Sequence, residues 1–311
     1  MIDEMLKLTV IIGILTAMVR IATPLILAAI GELITERSGV MNLGVEGTML
    51  MGAFGGFLVA YQSKSLLLAI IASILIGGIM GLILGYMTIT LKIDQTVTGL
   101  LLNLLASGLT LFAFRLLFKT DKVITIVRLQ SIEIPLLSKI PILGEVLFSQ
   151  NLITYLAILC VPLAYFFLYR TRAGLIIRST GENPKAVDSW GINVNKTRYL
   201  SVITGAMMAG LGGAFLTLGL SDRFVPDITA GRGWLAIIIV IAGNWQPYRM
   251  LVAALIFSFF NAFQYQLQGA GIKVPYQLIV ALPYFLALIA LVVVRVRTLM
   301  PQALGEPYVK E

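Results

Sequence analysis

The 311-residue sequence contains no histidine and a single cysteine, Cys160. Without histidine there is no imidazole proton relay and no histidine metal site. With one thiol there is neither an internal disulfide nor a CxxC metal cluster. Charge is scarce as well: Asp, Glu, Lys and Arg make up 12% of the chain, against roughly 25% in an average soluble domain. No GxxxxGK[ST] phosphate loop, GxSxG elbow or HExxH helix occurs, so the chain does not itself use ATP in the usual way. The scattered carboxylates show no paired spacing for hydrolysis, and an enzyme reading has almost no footing.

What fills the sequence instead is apolar, 59% of all residues. A helix that crosses a bilayer needs about 20 mostly apolar residues, and such runs recur from residue 8 to residue 295. Hydropathy and Gly/Pro punctuation predict spans near 8–31, 41–61, 65–90, 96–118, 151–169, 199–220, 234–244, 250–268 and 275–294. The fold class is therefore an all-α polytopic membrane protein, a bundle of about nine transmembrane helices in one domain over 1–311. The seventh run, WLAIIIVIAGNW, is short enough to be a half-helix or re-entrant piece. The amino terminus has no small-residue cleavage site, so the first span is expected to stay attached.

The net charge of +8 would raise nucleic acid as a partner in a soluble protein, but topology explains it more simply and no nucleic acid is expected. Arg170, Arg172, Arg178, Lys185, Lys196 and Arg198 crowd the segment 170–198, which the positive-inside rule places in the cytoplasm. Counting spans from there puts the amino terminus outside and the carboxyl terminus inside. Segment 119–150 is too polar to span and too apolar for a free linker, and reads as a structured extracytoplasmic cap.

Glycines four apart, Gly77, Gly81 and Gly85 on one helix and Gly205, Ala209 and Gly213 on another, predict close helix packing. Polar groups in or beside the apolar runs stand out more: Arg20, Glu32, Asn42, Glu46, Asn103, Arg115, Asn261 and Gln264. A charge at mid-bilayer costs about 2.5–3.5 kcal/mol even on insertion scales, so such groups face a bundle interior or a wet path. They are densest in IGELITERSGVMNLGVEGTMLMGAF, residues 30–54, where interleaved glycines argue against regular helix and for a broken segment lining a cavity. Candidate pathway residues are Asn42, Glu46, Asn103, Asn261 and Gln264; a pairing of Glu46 with Arg20 or Arg37 would equally hold helices together. Phe54, Phe57, Phe260, Phe263 and Tyr265 would suit a flat ligand. In the 170–198 segment Asn183 can cap and Pro184 begin a short helix, KAVDSW, that Gly191 closes, giving a rigid elbow that a partner could push.

Three stretches, GELITERSGVMNLGVEGTMLMGAF, GENPKAVDSWGINV, and AGRGWLAIIIVIAGNW with its continuation through VPYQL, resemble the permease subunits of ATP-binding-cassette importers for simple sugars and nucleosides. This is the ribose-permease-like branch related to branched-chain amino acid permeases, and the likeness is nearest to its nucleoside subgroup. The resemblance implies a translocation subunit in a bacterial cytoplasmic membrane, with no cofactor of its own, since ATP and Mg would be bound by the partner ATPase. It implies two ATPase subunits docking at an elbow of Glu182, Asn183, Pro184, Asp188 and Gly191. It further implies a second permease, related but different, and an extracytoplasmic substrate-binding protein. A permease for branched-chain amino acids and an ion-coupled secondary transporter stand as alternatives.

Overall fold

The computed structural model describes residues 8–118, 124–269, 285 and 299–310. Helix α1, Leu8–Arg37, is the axis: every residue from Ala22 to Val40 is buried. Its 30 residues reach about 45 Å, against a hydrocarbon core of about 30 Å, so it tilts or projects. Around it stand α2 (Val45–Ser63), α3 (Leu66–Gly85), which runs on through a π-helical turn to Thr90, and α4 (Gln95–Leu117). Strand β1 (Ser131–Glu133) pairs antiparallel with β2 (Ser149–Asn151), and the short α5 (Leu143–Leu147) lies between them. There follow α6 (Leu152–Arg170), α7 (Arg172–Glu182), α8 (Pro184–Ser189) and α9 (Val194–Phe215), the last extended by a π-helical turn to Leu220. The series ends with α10 (Arg232–Ala242) and α11 (Pro247–Gly269).

Eight of the nine expected spans are therefore helices, and the ninth, 275–294, lies outside the described residues apart from Phe285. Five of the helices are long and apolar enough by themselves to cross a membrane, those at Leu8–Arg37, Leu66–Thr90, Gln95–Leu117, Leu152–Arg170 and Val194–Leu220. α2, with Glu46 near its start and Tyr61, Gln62 and Ser63 at its end, is not among them. α10, at 11 residues, is about 16 Å long, half the bilayer core, so the short seventh run is a half-helix by length. One expectation needs correcting: 30–54 is not irregular throughout. α1 stays helical to Arg37, the break is confined to Ser38–Gly44, and helix resumes at Val45. Close packing outweighs the propensity cost of these glycines: Gly31 and Gly52 lie against Gly205 and Gly210 of α9, and Gly47 against Leu102 and Asn103 of α4.

The small residues pack as their spacing predicts. On α3 a side-chain carbon at Gly81 would come within 2.7 Å of Ala206 Cβ on α9, and one at Gly77 would run into the Ala206 carbonyl oxygen. Gly31 and Gly205 face each other backbone to backbone, and Gly52 faces Gly210 in the same way. α9 is thus clamped between α1, α2 and α3, where in lipid only close van der Waals approach holds helices together. Gly31→Ala is expected to force α1 and α9 apart, an overpacking cost of about 1–3 kcal/mol, and to lower the melting temperature in detergent. Gly108→Ala, on a face of α4 with nothing within 4 Å, is expected to leave it unchanged or raised. Equal melting temperatures for the two variants would contradict this packing.

Candidate functional site

The break between α1 and α2 brings four elements together. A non-helical stretch exposes backbone donors that have no intrahelical partner, and inside a membrane each must be met by protein or water. Here side chains from distant parts of the chain meet them. Gln95 Oε1 accepts from Met41 N–H (2.7 Å), Glu32 Oε1 from Asn42 N–H (3.0 Å), and Asn42 Oδ1 from Gly44 N–H (2.9 Å). Asn103 of α4 bridges the break: its Oδ1 accepts from Gly47 N–H (2.7 Å) and its Nδ2 donates to the Leu43 carbonyl (2.8 Å).

Glu46 turns the other way, onto α10. Its Oε1 accepts from Gly231 N–H (2.8 Å) and its Oε2 from Gly233 N–H (2.6 Å), so one carboxylate holds the first amides of the half-helix. A carboxylate is the side chain best suited to a helix amino terminus, which carries unsatisfied N–H groups and a positive partial charge. Both glycines of the GRGW stretch are required. Gly231 sits at φ +82°, in the left-handed region, and any side chain on Gly233 would overlap the Glu46 backbone. The expected pairing of Glu46 with Arg20 or Arg37 does not occur: Arg20 Nε donates to Gln150 (3.2 Å), and Arg37 serves a different group of acceptors.

Of the five expected pathway residues, then, Asn42, Glu46 and Asn103 converge, and their polar atoms are engaged by backbone. Asn261 and Gln264 lie on α11, and no described hydrogen bond joins them to that group; Asn261 Nδ2 donates to the Phe257 carbonyl of its own helix (3.1 Å). Four of the five aromatic candidates pack against other rings of the chain. Phe54 and Phe57 of α2 meet Phe224 at 5.1 and 6.0 Å between ring centres, and Phe114 and Phe118 join them. Phe259 and Phe263 stack along α11, with Phe260 edge-on to Phe259.

Beside the same C-terminal end of α1, where Gly181 packs on the Arg37 carbonyl, the elbow has the caps its sequence announces. Asn183 Oδ1 accepts from Ala186 N–H (3.0 Å), Pro184 opens α8, and Gly191 closes it at φ +78°. Asn193 then caps α9 through Lys196 N–H (2.9 Å). Glu182 lies 4.0 Å from Arg37, and Asp188 3.4 Å from Lys310. Sequence reasoning missed what fastens the elbow. The terminal segment 299–310 crosses it, with Ala303 N–H on the Gly181 carbonyl (2.8 Å), Gly305 N–H on the Gly39 carbonyl (3.2 Å) and the buried Arg198 donating to the Glu306 carbonyl (2.9 Å). The only sequence signal was a basic residue, Arg198, at the head of an apolar helix. Among the described residues no group of three or more Cys, Asp and Glu side chains could hold a metal ion.

Comparison with known proteins adds the following. The family described as "Branched-chain amino acid transport system / permease component" matches residues 14–295. A Haloferax volcanii protein provisionally named a glucose ABC transporter permease, TsgC13, is 38% identical over 96% of this chain and 98% of its own length. The guanosine ABC transporter permease protein NupQ of Bacillus subtilis is 36% identical, and the nucleoside ABC transporter permease protein NupC of Lactococcus lactis 33%. Each of those two alignments covers 93% of this chain and 94% of the relative.

Proposed function

The chain belongs to the branched-chain amino acid transport permease family, and from that premise we propose that it carries nucleosides or related simple sugars as the membrane path of an ATP-binding-cassette importer. The observation that supports nucleosides is the alignment, over 93% of the chain, with two relatives named for guanosine and nucleoside transport. The relative named for glucose supports a sugar as the second reading; both cargoes are ring compounds rich in hydroxyl groups. Branched-chain amino acids, the family's own description, come third.

In this reading the elbow is cytoplasmic and the amino terminus outside, as the basic residues of 170–198 favour, and the membrane is the bacterial cytoplasmic membrane. Two ATPase subunits, which bind ATP and Mg, dock at Glu182–Gly191. A related but different permease completes the path, and a binding protein delivers cargo to the face that carries residues 124–150. Asn42, Glu46 and Asn103 form the frame beside the path, and Asn261 and Gln264 supply polar groups along it. The ion-coupled alternative needs an available carboxylate inside the span. Glu46 is committed to two backbone amides, which leaves that alternative resting on Glu32, whose Oε2 is buried without a hydrogen-bond partner.

The test is uptake of labelled guanosine in cells with and without the chain, with excess unlabelled ribose, glucose or leucine, and with ATP depletion set against an ionophore. Nucleoside import is expected to vanish on deletion and on ATP depletion and to survive the ionophore and all three competitors. Inhibition by glucose moves the cargo to sugars, and inhibition by leucine moves it to amino acids. Collapse with the ionophore alone replaces the importer by the ion-coupled carrier.

A further inference from the structure

The last turn of α1 joins the elbow to the half-helix through buried side chains. Arg37, 6% exposed, is the junction. Its Nη2 donates to the Trp245 carbonyl (2.9 Å) and to the Tyr169 hydroxyl (3.2 Å), and Tyr169 itself donates to that same carbonyl (3.1 Å). Its Nη1 donates to the Leu299 carbonyl (3.3 Å) and approaches Glu182 at the end of α7. On the elbow side Arg178 lies over the Tyr169 ring at 4.8 Å and donates to the Leu168 carbonyl (2.9 Å). On the other side Trp245, 2% exposed, donates its indole N–H to Glu36, the neighbour of Arg37. Asn244 and Trp245 both sit in the left-handed region, at φ 50° and 54°. Non-glycine residues keep such a conformation only where their surroundings fix it.

α10 is therefore tied at both ends to the same short stretch of chain: at its start by Glu46, just after the break, and at its close by Glu36 and Arg37, just before it. A helix half the bilayer thick, buried on one face and anchored at both ends, moves as one piece with whatever moves its anchors. The anchors at its close reach directly to α6 and α7.

We propose that Arg37 is the positioning residue that carries displacement of the elbow into α10, so that the half-helix follows the elbow rigidly when the ATPases close. This rests on the importer reading above. Arg37 touches no cargo in it; the fork of the guanidinium holds Trp245, Tyr169 and the Glu182 side of the elbow in one arrangement, which a lysine, a point charge with no planar fork, does not reproduce.

The test uses the assembled importer, with its ATPases, partner permease and binding protein, in proteoliposomes. Variants Arg37→Gln, Arg37→Lys and Trp245→Phe are compared for ATP hydrolysis and uptake together. In a Cys160→Ser background, spin labels at Arg172 of α7 and Trp234 of α10, both exposed, report the separation of the two elements. The wild type is expected to hold one separation with and without vanadate-trapped nucleotide. In the variants that separation shifts on trapping, hydrolysis continues, and uptake per ATP falls about tenfold. Trp245→Phe keeps an aromatic ring and the backbone carbonyl that Arg37 holds but removes the indole N–H to Glu36, so it weakens the same junction from its other tie even if the Arg37 variants fail to assemble. Hydrolysis and uptake falling by one common factor, or a separation that already changes in the wild type, overturns the junction while the importer stands. A wild type that hydrolyses ATP but imports nothing overturns the importer reading and the junction with it.

Discussion

Glu46→Ala is expected to cut the maximal rate of uptake severely and to lower the melting temperature by more than any other single polar substitution in the membrane portion of the chain. The carboxylate accepts two backbone hydrogen bonds from Gly231 and Gly233, and hydrogen bonds to a charged group contribute roughly 1.5–3 kcal/mol each. Alanine leaves both donors facing a gap, at the helix end that carries positive partial charge, and Gly231 then has no reason to hold its left-handed turn. Glu46→Gln keeps one acceptor but turns an NH₂ group toward the second amide, so an intermediate loss is expected. The measurement that decides is the pair of melting temperature and apparent KM for uptake, in both variants. A cap predicts depressed melting, a lower maximal rate and an unchanged KM in whatever protein survives. A cargo contact predicts normal melting with a raised KM, and that result would remove Glu46 from the frame described above.

This pairing also marks where sequence reading reached and where it stopped. Helix spans were legible because a bilayer makes length and hydropathy nearly sufficient evidence. The elbow was legible because Asn183, Pro184 and Gly191 act within a few residues of one another, and caps are local chemistry. That α3 and α9 pack closely was legible from glycine spacing; that they pack on each other was not. The partner of Glu46 was not, since it lies 185 residues on, in a stretch whose glycines announce a tight turn without saying what approaches it. Intramembrane polarity tells the reader that a group must be satisfied, yet cargo, water and backbone satisfy it equally well on paper. Asn42, Asn103 and Gln95 turned out to answer backbone donors freed by the break at Ser38–Gly44. The extent of that break was misjudged for a related reason: glycine propensity is a local penalty of about 1 kcal/mol, and tertiary burial along α1 and α2 exceeds it. The fastening of the elbow by residues 299–310 was out of reach too, because most of its bonds end on backbone groups, which no side-chain pattern encodes, and they join segments more than a hundred residues apart.

Trp190→Ala carries the second large expected effect, and it falls on assembly where Glu46→Ala falls on folding. Trp190 closes α8 with 86% of its surface exposed, beside a cavity of about 560 Å³ whose apolar lining includes Leu175, Ile176, Val187 and Ile192, with Arg178 and Glu182 at hand. A tryptophan buries 150–250 Å² when covered, and at protein interfaces it is among the residues whose truncation costs about 2 kcal/mol or more. Removing it is therefore expected to weaken binding of the ATPase subunits about 30-fold, measured by titrating purified ATPase onto the permease in nanodiscs, with ATP hydrolysis no longer stimulated. Melting of the isolated permease should not move, since an exposed indole supports little of the fold. Trp190→Phe should restore part of the affinity, because a smaller aromatic ring still offers the partner apolar surface to cover. The competing role for an exposed tryptophan in such a chain is an anchor at the lipid headgroups. That role predicts unaltered ATPase affinity, with a melting temperature that drops in bilayers and holds in detergent, and finding it would move the docking surface away from α8.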